Sequence, residues 1–149
     1  MKITIYTDGA CIGNPGPGGW AAIILTEKGK KEIFGGSKLT TNNRMELTAT
    51  IKALEHCAEK EGKQPELKTI EIYTDSIYVK DGITEWIKKW EKNNWKTADK
   101  KNVKNVDLWK QLKELVKSNQ VKWYWIKGHS NDPMNDLADE NATTWPFRT

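Results

Sequence analysis

Ile5-Tyr6-Thr7-Asp8 recurs as Ile72-Tyr73-Thr74-Asp75, and this short echo decides how the chain is read. Ile3, Ile5 and Thr7 alternate with more polar neighbours, the period of a strand ending at Asp8, and Thr69 to Thr74 alternates in the same way. Both strands therefore present an Asp at the same phase of the pleat, at their carboxyl ends. As parallel neighbours they would set the two carboxylates side by side. Adjacent carboxylates repel one another unless a proton or a cation sits between them. Nothing nearby in sequence offers an Arg to neutralise Asp8 and Asp75, and hard oxygen ligands suit Mg²⁺ or Mn²⁺ better than Zn²⁺. Either Asp alone could equally belong to a turn; together they tilt toward a site.

Outward from this pair, the Gly13-Asn14-Pro15-Gly16-Pro17-Gly18-Gly19 segment reads as irregular, because its prolines lack donors and its glycines resist ordering. Trp20 to Thr26 is a continuous apolar run, hence a buried strand. Lys31 to Ser37 is its expected antiparallel partner, turned through Glu27 to Lys30. The period then changes. Leu47, Ile51, Leu54 and Ala58 form the stripe of an amphipathic helix, which Thr41 or Asn42 can cap and which Gly62 and Pro65 end. After the Thr69 strand a short helix is expected from about Ser76 and another near Thr84 to Trp90. A lysine-rich loop then leads to a helix with Leu108, Trp109, Leu112, Leu115 and Val116 on one face. Val121 to Ile126 is the last strand, and Pro133 suits the first turn of a final helix. The order predicts an α/β fold, a mixed five-stranded sheet of three antiparallel strands followed by parallel ones, flanked by helices.

With 149 residues and no internal boundary, the chain is expected to form one domain. Mean hydropathy of -0.75 and the lack of a long uncharged apolar run exclude a transmembrane helix, and the N-terminus reads as a strand, not a signal peptide. Cys11 and Cys57 are too few for a disulfide scaffold and are expected as reduced thiols in a cytoplasmic protein. The net charge of +4 is unevenly spread. Trp86 to Lys104 carries seven Lys and two acids, leaving 17 basic and 18 acidic residues elsewhere. A polyanion partner is the leading explanation for that basic handle, against a merely solvated lysine face. Lys88, Lys89, Lys92, Lys96, Lys100, Lys101 and Lys104 would bind phosphates without reading sequence. Trp86 and Trp90, four apart, better suit packing the helix down than stacking bases.

Further candidates lie along the chain. Glu46 sits in the first turns of the helix on the edge of its stripe, where, taken alone, interaction with the helix dipole is the better explanation. Asp132, Asp136 and Asp139 surround the start of the last helix, and spacing alone does not choose among them. His129, in a turn-rich loop, could shuttle protons near neutral pH. The glycine-rich segment is neither a Walker loop, since no Lys-Ser/Thr follows, nor a Rossmann turn, since a strand comes next. Its exposed backbone and Asn14, with Asn42, Asn43 and Arg44, offer contacts to a sugar or phosphate.

YTDGAC (6–11) with GNPGPGGW, TTNNRMELTA (40–49), YTDSIYV (73–79), WKTADKKNVKNVDLW (95–109) and VKWYWIKGHS (121–130) together resemble type I bacterial ribonuclease H, in order and over nearly the whole chain. The resemblance implies that family's fold, with a basic handle at about 86–104, and an endonuclease that cleaves the RNA strand of RNA–DNA hybrids to 5′-phosphate and 3′-hydroxyl products. It implies Asp8, Glu46, Asp75 and Asp139 as metal-binding acids. Asp139 is preferred over Asp136 because it falls ten residues after the loop His, in the Ala-Asp-Glu phase. His129 matches the loop His that assists proton transfer or product release. Asn14, Thr41, Asn42 and Asn43 match substrate-contacting positions, and the backbone near Cys11, with Glu46, is a candidate for the 2′-hydroxyl. Lys88, Lys89, Trp90, Lys96 and Lys100 complete the expected hybrid surface. The implied cofactor is Mg²⁺, two ions per site with substrate, with Mn²⁺ as a substitute. The implied protein is a cytoplasmic monomer with no membrane partner, acting on RNA primers and R-loops. Ile77 and Asp81 depart from the Gln found in close relatives, Leu25 from a basic residue, and Asn131-Asp132 from a second His. Two other readings compete: a non-catalytic nucleic-acid-binding module, and the same fold acting on DNA strands or junctions.

Overall fold

The computed structural model describes residues 2–60, 69–97, 99–117 and 120–126, together with Ala138 and Ala142. Its strands are β1 (Lys2–Cys11), β2 (Gly16–Thr26), β3 (Gly29–Thr40), β4 (Thr69–Thr74) and β5 (Gln120–Trp125). The helices are α1 (Asn42–Lys60), α2 (Ile77–Asp81), α3 (Ile87–Lys92) and α4 (Val106–Lys117), with a π-helical turn at Gly82–Trp86 joining α2 to α3. The sheet order is β3-β2-β1-β4-β5. The β1–β2 and β2–β3 pairs are antiparallel, whereas β1–β4 and β4–β5 are parallel, as the sequence predicts.

The strand alternation builds two faces. Ile3, Ile5, Ile70 and Ile72 point into the core with Leu47, Ile51, Leu54 and Leu112. Each such side chain contributes roughly 1.5–3 kcal/mol by leaving water. On the other face Tyr6, Tyr73 and Tyr124 are register partners and stack across three strands, with ring centroids 4.9 Å apart in both steps. A one-residue slip of either parallel pair would bury charge and break this column, so the register is doubly fixed. Ala138 and Ala142 are helical and fully buried, and the rest of the helix expected from Pro133 lies outside the described residues.

Three expectations need correction. The first strand does not end at Asp8 but runs to Cys11, and β2 begins at Gly16, inside the segment read as irregular. The cause is close approach. A Cβ on Gly18 would lie 2.6 Å from Thr40 Cγ2 and 2.8 Å from the Ala10 carbonyl oxygen, so glycine here admits a tight strand rather than a loop. β3 likewise extends beyond Lys31 to Ser37 at both ends, since Gly29 pairs with Thr26 and Thr40 with Gly16. The two short helices expected after β4 are one continuous run from Ile77 to Lys92. Gly82 keeps helical dihedrals and, lacking a Cβ, leaves room for the Trp109 ring.

Candidate metal centre

Asp8 lies within β1 opposite Ala21, and Asp75 directly follows β4. Thr7 pairs with Thr74, so the two acids leave adjacent parallel strands together. The Asp75 backbone is fixed on several sides. Trp125 Nε1–H donates to its carbonyl oxygen at 3.2 Å, and the Ile126 N–H donates to the Thr74 carbonyl at 2.9 Å. The Ser76 N–H donates to Thr74 Oγ1 at 3.0 Å, while Ser76 caps α2 by accepting from the Val79 N–H at 3.1 Å.

Glu46 comes from α1. Thr41 is the residue that caps this helix: its carbonyl accepts from Met45 and its Oγ1 from Arg44. Gly9 then lets the helix sit directly on β1, since a Cβ there would lie 2.5 Å from the Glu46 nitrogen and the Met45 carbonyl carbon. Asp8 and Glu46 are buried, at 3% and 8% exposure, and Asp75 is half-buried. One ligand oxygen from each of the three carboxylates lies within 4.8 Å of the others. Three hard, acceptor-only oxygens of like charge in so small a space match the donor set of a divalent cation such as Mg²⁺. The soft ligand nearby is directed elsewhere, as Cys11 Sγ–H points to the Gly16 and Thr40 carbonyls at 3.4 and 3.3 Å. Neither Cys11 nor Cys57 is bridged in a disulfide. Asp139 and His129, like Asp132 and Asp136, lie outside the described residues.

The expected polar contacts gather at the start of α1, one turn before Glu46. Asn14 Oδ1 accepts from the Asn42 N–H at 2.9 Å, tying the glycine-rich bend to the helix, and the Asn42 and Asn43 side chains are exposed beside it. The handle is more ordered than a loop. It begins inside the helical run, and Lys96 then bridges Asn102 in antiparallel fashion while Thr97 N–H donates to the Lys101 carbonyl at 2.8 Å. All seven of its lysines are exposed. Its Trp residues are structural, as the Trp86–Trp90 spacing suggests: Trp90 lies against Trp86, Trp95 and Trp109 with centroids 5.9, 6.4 and 5.3 Å away.

A second polar group escaped sequence reasoning. Arg44 is bidentate to Asp107, with Nη1–Oδ1 at 3.2 Å and Nη2–Oδ2 at 2.9 Å, and Nη1 also donates to Asn105 Oδ1 at 3.1 Å. The hydrogen bond and charge of Asp107 hold the guanidinium above its usual pKa, and the hydrogen bond from Arg44 lowers that of Asp107. No local pattern in the sequence pairs residues 61 and 63 positions apart.

A mixed sheet with a buried carboxylate cluster where two parallel strands meet a helix defines an α/β protein with a candidate divalent-cation site, and comparison with known proteins gives the class. The RNase H family model matches residues 1–145. A ribonuclease H of Maricaulis maris is 54% identical over 140 residues, covering 94% of this chain and 90% of the relative. The crystal structure of LC9-RNase H1, a type 1 RNase H with the type 2 active-site motif, superposes with a TM-score of 0.85 at 28% identity, covering 99% of this chain and 74% of that one. LC11-RNase H1, solved with an RNA/DNA hybrid, gives a TM-score of 0.66 at 25% identity over 95% of this chain and 97% of its own. The chain belongs to the ribonuclease H family. It is accordingly a hydrolase of the nuclease class.

Proposed function

We propose that this chain is an endoribonuclease that hydrolyses the RNA strand of RNA–DNA hybrids, as a single domain over residues 1–149. The observation that carries the reading is the meeting of Asp8, Glu46 and Asp75 within 4.8 Å in a chain of this family. Asp8, Glu46 and Asp75, with Asp139 as a fourth acid, hold divalent cations, with Mg²⁺ the expected ion and Mn²⁺ a substitute. Bound there, divalent cations would supply charge stabilisation for an in-line displacement at phosphorus.

The protein's own groups do the rest. Burial of Asp8 and Glu46 keeps their oxygens fixed before substrate arrives, so little reorganisation is needed at the reacting phosphate. His129 passes a proton to or from solvent near neutral pH. Asn42 and Asn43, exposed at the first turn of α1, hold the hybrid near the cluster, with Asn14 and Thr41 shaping that edge. Glu46 and the backbone near Cys11 read the 2′-hydroxyl, the group that separates RNA from DNA. Lys88, Lys89, Lys96 and Lys100, beside Trp90, anchor phosphates away from the reacting bond. Products are a 5′-phosphate and a 3′-hydroxyl, and the role is removal of RNA primers and R-loops by a cytoplasmic monomer. Among the described residues, no helix is long and apolar enough to cross a membrane.

The test compares a hybrid, duplex DNA and duplex RNA of one sequence, each with Mg²⁺ and with EDTA. Cleavage confined to the RNA strand of the hybrid and abolished by EDTA is expected. Cleavage of duplex DNA, or full activity in EDTA, would reject the reading.

A further inference from the structure

Both peptide planes that flank the Asp75 Cα are tied to the end of β5. The Thr74 carbonyl, in the first plane, accepts from the Ile126 N–H at 2.9 Å. The Asp75 carbonyl, in the second, accepts from Trp125 Nε1–H at 3.2 Å. The N–H of that second plane belongs to Ser76 and donates to Oγ1 of the buried Thr74 at 3.0 Å. Because each peptide unit is planar, fixing the two planes fixes the Cα between them and the direction in which its Cβ leaves. Of these bonds, only the one from Trp125 comes from a side chain on another strand.

We propose that Trp125 is a positioning residue for Asp75, aiming its carboxylate at Asp8 and Glu46 through the indole bond to the Asp75 carbonyl. The inference rests on the reading of that cluster as the metal centre. Asp75 is the acid that most needs such a hold. Asp8 lies inside β1 with Ala21 as its ladder partner, and Glu46 lies inside α1, so regular structure fixes both backbones. Asp75 stands between the end of β4 and the cap of α2, one residue past the last pairing of β4 with β5. That last pairing joins Thr74 to Trp125, which brings the indole alongside the next carbonyl. Burial does not account for the large ring. Trp123, on the same face of β5, packs against the core, whereas Trp125 stays 44% exposed. What the indole has and an apolar ring lacks is a donor. Residues that orient metal ligands without touching the metal typically change affinity or activity by about 10–100-fold when removed.

The discriminating replacement puts 3-benzothienylalanine at position 125, which keeps the shape of the indole but puts sulfur where the N–H was. Trp125→Phe removes the donor and part of the ring. In both proteins Mg²⁺ affinity by calorimetry and kcat on a saturating hybrid are expected to fall about tenfold. KM should stay within about twofold, since the bond is made to Asp75 and not to the hybrid. Loss of one solvated hydrogen bond should lower the melting temperature by no more than about 2–4 °C. Calorimetry is run at a temperature where all three proteins are folded. Parent-like affinity and kcat with the benzothienyl ring overturn the role, whatever Trp125→Phe does, because the ring's packing and not its donor would then matter. Losses that merely track a lowered melting temperature overturn it as well. A parent chain that binds Mg²⁺ but leaves the hybrid intact counts against the ribonuclease reading alone, and the calorimetry still decides the positioning. A parent chain that binds no Mg²⁺ sinks both.

Discussion

Thr7 and Thr74 are register partners in the parallel pair β1–β4, and that single pairing brings Asp8 and Asp75 together beside Glu46. The cluster concentrates like charge, so its acids should be more useful to function than to folding. Asp8→Asn or Asp75→Asn should reduce hybrid cleavage by more than about 100-fold while leaving hybrid binding near the parent's. In EDTA either substitution should raise the melting temperature, because one repelling charge has gone. Adding Mg²⁺ should raise the parent's melting temperature more than the variant's, since only a ligand that favours the folded form stabilises it. Thermal melts with and without Mg²⁺, set beside cleavage assays, check all three outcomes.

Gly9 is the contact on which Glu46 depends. An Ala there would drive its Cβ into the α1 backbone at Met45 and Glu46, and backbone cannot rotate away as a side chain can. Gly9→Ala should cost about 1–3 kcal/mol of stability, as overpacking usually does. It should also shift Glu46 and so weaken Mg²⁺ binding, measured by calorimetry at a temperature where the variant remains folded. A variant as stable and as metal-competent as its parent would show that α1 can slide on β1 at no cost.

Much of this arrangement is legible in the sequence because it is local or periodic. The Ile-Tyr-Thr-Asp echo predicts two equivalent strands, and the spacing of Leu47, Ile51 and Leu54 predicts the helix that carries Glu46. The glycine-rich segment misleads because glycine has two opposite uses. Gly13 at φ 76° occupies the conformation that a loop requires, whereas Gly18 lies in β2 because Thr40 and Ala10 leave no room for a Cβ. Only three-dimensional proximity separates those uses. The bonds from Arg44 to Asn105 and Asp107 are invisible in sequence for the same reason, since the partners lie more than 60 residues away.

The handle's exposed lysines predict a salt-dependent binding surface separate from the chemistry. Replacing Lys88, Lys89, Lys96 and Lys100 with Ala should weaken hybrid binding and reduce the slope of log K against log salt by about 0.9 for each phosphate no longer neutralised. kcat at saturating hybrid should change little, because none of the four belongs to the carboxylate cluster. Titrations at several salt concentrations measure the slope. An unchanged slope would place the hybrid elsewhere on the protein.

The Arg44–Asp107 pair predicts a specific pH signature. Its hydrogen bond to Arg44 lowers the Asp107 pKa below the ordinary 3.8, so folding favours the ionised carboxylate. The stability this supplies is present above the ordinary value and is lost as pH falls through the lowered one. With side-chain exposures of 36% and 57% the pair is well solvated, and its contribution is at most about 1 kcal/mol. Asp107→Asn should therefore be slightly less stable than its parent at neutral pH, and the difference should shrink below about pH 4. Urea melts across that range check the convergence.

Lys100 separates the two demands placed on the handle. It adopts φ 63°, where a side chain other than glycine costs roughly 1–2 kcal/mol, and its N–H donates to the Thr97 carbonyl at 2.9 Å to close the turn. Lys100→Gly and Lys100→Ala remove the same charge, but only glycine relieves the backbone. Both should weaken hybrid binding equally at low salt. Glycine's greater freedom in the unfolded chain offsets about 0.5–1 kcal/mol of the relief. The Gly variant should therefore melt above the parent by about 1–3 °C, and the Ala variant should not. If the two variants melt together, the left-handed turn carries no strain, and Lys100 is placed for its charge alone.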